Sequence, residues 1–116
     1  MKTKDVNGVC LVDIEENAIS PAVIAYLRQI YAQKGLKKRI GINLKNVVAV
    51  KHDFFDFLMS VSDKEKISLF NIPNDIYLML FVSRYDKYVD MYLDERDFIC
   101  AKNGIVYRRL KLLKTA

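Results

Sequence analysis

Lys51, His52 and Asp53 are three consecutive ionisable residues at a change of pattern. Before them, Ile42 to Val50 is mostly apolar; after them, Phe54, Phe57, Leu58 and Val61 recur at helical spacing. A strand-to-helix junction is a common place for the working group of a small α/β protein. Histidine titrates near neutrality, so His52 could serve as a base or phosphate acceptor. Adjacent side chains at a helix start do not face each other, so His52 and Asp53 are not a ready-made catalytic pair. No second acid, thiol or metal ligand accompanies them in the local sequence. The plainer reading is an exposed loop histidine followed by an aspartate that caps the helix. Phe54 belongs to the buried stripe. Phe55 cannot share that face equally: it either makes a second packing contact inside the domain or, exposed beside a polar loop, makes an apolar anchor for a partner.

The elements that position this junction follow from the flanking patterns. Val9 to Ile14 is a short β-branched run that reads as a strand buried on both faces. Asn7-Gly8 is a hairpin signal, so Met1 to Val6 is expected to pair with it as an antiparallel edge strand. Ser20-Pro21 opens a helix with a cap and a first-turn proline. Its apolar stripe is Val23, Leu27 and Ile30, with Ile24 and Tyr31 beside them, and Gly35 ends it. Arg39 to Leu44 and Ile67 to Ile72 are the next core strands. Pro73-Asn74-Asp75 begins a third helix whose apolar side includes Ile76, Met79, Leu80 and Phe81. Tyr88 to Leu93 reads as a further strand, and Asp94 to Asp97 places acids at the start of a fourth helix. Asn103-Gly104 stops that helix, and residues 105–113 are open between strand and helix. The alternation predicts a single α/β domain over residues 1–116. It has a mostly parallel central sheet of about five strands, about four helices and an antiparallel N-terminal edge.

Composition narrows the function classes. The chain has 116 residues, 52% hydrophobic and 28% charged, enough for one domain with its own core. The four glycines do not form a phosphate-binding loop between strand and helix, and no GxSxG elbow occurs. With one histidine and no CxxC, a metal centre is not expected, nor is any cofactor. Cys10 and Cys100 sit among apolar neighbours and read as small buried hydrophobes in a reducing compartment. A receiver domain would need clustered acids at two strand ends. Asp13 stands near one, but Leu44-Lys45-Asn46 offers none at the next. No leader is read, and no apolar run approaches the roughly 18 residues that span a membrane, so a cytoplasmic protein without membrane insertion is expected.

The net charge is +5. Lys37, Lys38, Arg39, Arg108 and Arg109 make a basic nucleic-acid-binding domain one alternative, and solvated helix ends and tail another. The seven tyrosines are scattered without an RNA-stacking motif, which argues against nucleic acid. A small enzyme using His52 is a further alternative, with no substrate indicated.

Several segments, in order, resemble the STAS domain of sulfate transporters and anti-sigma-factor antagonists. Ile42-Asn-Leu-Lys-Asn-Val47 is similar to the family's central strand, apolar-Asp/Asn-Leu-x-x-Val. Ala49 to Phe55 falls where the family has apolar-apolar-Asp-Ser-Ser/Thr-Gly-Leu. Leu80-Phe81 with the turn up to Val89, and Asp94 to Phe98, resemble the stretches before the last strand and helix. The resemblance implies a non-catalytic interaction and regulatory module in signalling and control of transcription. Its protein partner would be a kinase-like anti-sigma factor or related regulator, and it would be a monomer or weak homodimer. In the family, phosphorylating the loop serine adds close to two negative charges at a helix N-terminus and releases the partner. Here Lys51 replaces the aspartate, His52 the phosphorylated serine, Asp53 the second Ser/Thr and Phe54 the glycine. The usual serine switch is therefore not expected. The expected partner surface is Lys51, His52, Asp53 and Phe55, with the turn Pro73 to Asp75 beside it.

Overall fold

The computed structural model describes residues 1–34, 39–62 and 67–100. Five strands run β1 (Lys2–Val6), β2 (Val9–Asp13), β3 (Ile40–Asn43), β4 (Ile67–Phe70) and β5 (Val89–Tyr92). They lie side by side in that order; β1 pairs antiparallel with β2, and every other pair is parallel. The helices are α1 (Pro21–Lys34), α2 (His52–Ser62), α3 (Asn74–Val82) and α4 (Glu95–Cys100), with a 3₁₀ turn at Tyr85–Lys87. This is the mixed α/β sheet that the alternation implied.

The local signals explain most boundaries. Val6 pairs with Val9 across a two-residue turn in which Asn7 (φ 50°) and Gly8 (φ 83°) are both left-handed. That geometry matches strand twist and favours this residue pair. Ser20 caps α1, its Oγ accepting from the Val23 N–H at 3.3 Å. Asp94 caps α4 by accepting from the Asp97 N–H at 2.9 Å. β4 stops at Phe70, two residues short of the apolar run, because Asn71 turns left-handed (φ 53°). Gly35, Asn103-Gly104 and residues 105–113 lie outside the described residues.

Strand alternation divides the core between two sheet faces. Cys10, Val12, Ile42, Leu69 and Met91 join Val23, Leu27 and Ile30 of α1, Phe54, Phe57 and Leu58 of α2, and Ile76, Tyr77 and Leu80 of α3. Val9, Leu11, Phe70 and Tyr92 pack instead around Phe98 of α4. The short α4 sits tight on the sheet because β3 presents Gly41 to it. A Cβ at Gly41 would lie 2.5 Å from the Phe98 ring.

Arg39 fastens this second face. Its Nη2 donates to the Phe98 carbonyl at 2.8 Å and the Tyr92 hydroxyl at 3.3 Å, and its guanidinium lies 4.4 Å from the Phe98 ring centroid. Burial raises the Tyr92 pKa above the usual tyrosine value, and the Asp90 charge adds to this, against the lowering effect of Arg39. Arg39 is thus engaged inside the fold, not displayed in a basic patch. Lys37, Lys38, Arg108 and Arg109 lie outside the described residues.

Two other expectations are corrected, and Asp13 gains a structural role. Cys10 is buried, as expected, but Cys100 is exposed. Phe98 takes the buried face of α4, and Cys100 lies two residues, about 200°, round the helix from it. On α3 the buried residues are Ile76, Tyr77 and Leu80, while Met79 and Phe81 are exposed. Asp13 serves a polar ladder across strand ends. Asn43 Nδ2 donates to Asp13 Oδ1 at 2.9 Å, and Asn71 Nδ2 donates to Asn43 Oδ1 at 3.2 Å.

Replacing Gly41 by alanine should destabilise the protein by about 1–3 kcal/mol, since the added methyl overpacks Phe98. In a Phe98→Leu background the same replacement should cost measurably less. Urea unfolding of the four proteins in this double-mutant cycle checks it.

Candidate functional site

The junction at residues 51–53 is reached by a connection that is itself tied down. Leu44 and Val47 are fully buried, and the Val47 N–H bonds to the Leu44 carbonyl at 3.0 Å. The Val48 N–H donates to the Asn17 carbonyl at 2.7 Å, and Ala49 makes an isolated parallel bridge to Ala18. The approach to α2 is therefore stitched to the β2–α1 connection. Helix α2 opens when the Phe54 N–H bonds to the Lys51 carbonyl at 3.0 Å.

Lys51 and His52 are exposed, and Asp53 is half-buried. The helix already includes His52, so Asp53 lies in its first turn and is not the cap expected from sequence. A carboxylate there still suits the positive end of the helix dipole. One oxygen, Oδ1, is buried and has no hydrogen-bond partner among the described residues. His52 is exposed, and no hydrogen bond or ion pair to it is seen among the described residues.

Aromatic packing fixes the other side of this helix. Phe54 is fully buried and stacks on Phe57 with centroids 6.5 Å apart. Phe55 is only 7% exposed and stacks on Tyr85 with centroids 4.7 Å apart and planes within 18°. Phe55 is thus covered and does not protrude as the apolar anchor expected from sequence. The reason is the 3₁₀ turn, whose tyrosine shields an aromatic lying off the main helical stripe.

An open cleft of about 560 Å³ lies beside the junction. Val50, Phe55, Met79 and Tyr85 supply its apolar walls; Lys51, His52 and Ser83 supply polar groups. Lys51, His52 and Phe55 are therefore brought together, and Asp53 follows at the next position of the helix. Pro73 to Asp75 do not line the cleft, which draws instead on the later residues of α3. Sequence reasoning placed Ser83 and Tyr85 in the turn between Leu80 and Val89 but not at the site, since nothing local ties that turn to the start of α2. Apolar walls with a few polar groups suit recognition of another molecule. Among the described residues no cluster of His, Cys, Asp or Glu could hold a metal ion. Nor is any helix among them long and apolar enough to cross a membrane.

No protein-family model matches this sequence, and no curated protein does. Solved structures do match. The crystal structure of TM1081 from Thermotoga maritima, described as "a putative anti-sigma factor antagonist", aligns with a TM-score of 0.63. Identity is 17%, over 84% of this chain and 90% of that one. The NMR structure of TM1081 gives a TM-score of 0.61 at 16% identity, over 82% of each chain. The fold is STAS-like. At such identity the likeness carries the architecture, whereas function must be argued from the site.

The two sides of α2 should respond differently to truncation. Phe55→Ala should cost about 3 kcal/mol of stability because it empties a covered aromatic site. His52→Ala should stay within about 0.5 kcal/mol of wild type, as expected of an exposed residue. Denaturant unfolding measured on both variants checks the contrast.

Proposed function

We propose that this protein is a non-catalytic protein-interaction module of the anti-sigma-factor-antagonist kind. Its docking surface is the junction of Lys51, His52 and Asp53 with the adjoining cleft. The observation that carries this reading is the junction itself: exposed polar groups on a rigid helix start, beside an apolar cleft, on a STAS-like fold. Recognition needs such a surface held in place, and the packing of Phe54 and Phe55 supplies the hold.

The partner is a protein regulator, of which a kinase-like anti-sigma factor is the kind the fold suggests. Control by a phosphorylated serine does not operate at this junction, where His52 stands at the family's serine position. Ser60, farther along α2, hydrogen-bonds to the Phe57 carbonyl at 2.9 Å and accepts from Arg28 at 3.0 Å. It is already engaged in the helix and does not substitute for a loop serine. Phe55 contributes as the floor of the cleft, through Tyr85, and not as a projecting anchor.

The test is affinity capture from native lysate with wild type and Lys51→Glu/His52→Ala, read by mass spectrometry. Both replaced residues are exposed, so thermal unfolding should be unchanged. A protein retained by wild type and lost with the variant is the expected result. Equal retention by both would remove the junction from the interface.

A further inference from the structure

The outer side of α3 carries an apolar surface that the fold leaves uncovered. Leu78 is 52% exposed, Phe81 42% and Val82 77%, and Met79 is exposed beside them. Leu78 and Val82 are one turn apart, with Phe81 flanking them, so they form a continuous ridge. Met79 and Ser83, also one turn apart, line the cleft at the α2 junction. Ridge and cleft therefore make one surface. A contiguous apolar surface with a polar rim is how interaction sites differ from scattered exposed hydrophobes.

The rim carries charge of one prevailing sign. Lys51, Arg84 and Lys87 are all exposed, and none has an ion pair among the described residues. The nearby acids do not offset them directly. Asp53 and Asp86 are half-buried, and Asp86 is already engaged; Asp56 is exposed farther along α2, and Asp75 is exposed one turn before Leu78 and Met79, a single acid at the N-terminal end of the ridge against three bases.

This charge selects among possible occupants. Residues 101–116 contain Lys102, Arg108, Arg109, Lys111 and Lys114 and no acid, so the chain's own C-terminal segment would bring like charge to the rim. A second copy docking about a two-fold axis would bring the same predominantly basic rim to the interface a second time. Its net charge of +5 adds to that repulsion. What fits is a segment with bulky apolar side chains flanked by carboxylates.

We propose that the α3 ridge and the adjoining cleft bind an acidic, apolar-centred segment of a protein partner. Leu78, Phe81 and Val82 take its apolar side chains, and Lys51, Arg84 and Lys87 meet its carboxylates. This rests on the interaction reading above and adds the chemistry of the partner.

The test uses the full chain and a displayed peptide library. Central positions vary among Leu, Ile, Phe and Met, and flanking positions among Glu, Gln and Lys. Selected clones should favour Glu over Lys in their flanks by about tenfold over the input, as a few exposed ion pairs would give. Binding of their synthetic peptides should weaken as salt rises. Phe81→Ser/Val82→Ser should abolish that binding with unfolding unchanged, and Lys51→Glu/Arg84→Glu should turn the preference toward Lys. No selected binder, or binders without a flank preference, overturns the proposal. So does a dimer in sedimentation that Phe81→Ser/Val82→Ser dissociates. The lysate partner separates this failure from that of the underlying reading. A partner lost with Lys51→Glu/His52→Ala but kept by Phe81→Ser/Val82→Ser leaves the junction standing and removes the ridge.

Discussion

The fold depends on burying β2, β3 and β4 on both faces of one sheet. Parallel strands cannot be joined by tight turns, so each connection must pass over a face, and a helix is the economical way to satisfy its backbone. One face takes α1, α2 and α3. Among the described residues the other takes the short α4, which lies in close approach to the sheet. Gly41 gives Phe98 room to lie on β3, and Arg39 bonds to the α4 backbone while stacking on the same ring. These contacts lie across the sheet from the junction, and they hold the platform from which α2 departs.

At the junction, packing and display are two sides of one helix. Phe54, Phe57 and Leu58 face the sheet, and Phe55 leans on Tyr85. This leaves Lys51 and His52 in solvent with Asp53 at the edge. The stacked pair also draws the 3₁₀ turn, and with it the end of α3, toward the start of α2. Both rings line the cleft that lies between these elements. The result is an open cleft with apolar walls and polar groups from Lys51, His52 and Ser83 beside the start of α2.

Much of the architecture could be read from the residues because the local signals agreed with one another. Asn7-Gly8, Ser20-Pro21 and Asp94 each mark a boundary by a mechanism that the structure retains. The stripe in α1 was readable because polar residues interrupt it. Helix α3 had no such contrast: residues 76–82 are all apolar, so no period could choose its buried face. For the same reason its exposed ridge was hidden in the sequence. The cover over Phe55 comes from Tyr85, thirty positions later, and Arg39 is held by Tyr92 and Phe98. Local pattern carries no information about such distant partners. The junction itself was visible as a run of ionisable residues at a change of period, but the cleft beside it was not.

The most direct measurement is an amide chemical-shift map of isotope-labelled protein titrated with the partner recovered by capture. The account predicts perturbations concentrated at Val50 to Phe55 and from Leu78 to Lys87, with β1 and α4 unaffected. Perturbations centred on α4 or β1, with the α2 start unchanged, would contradict it.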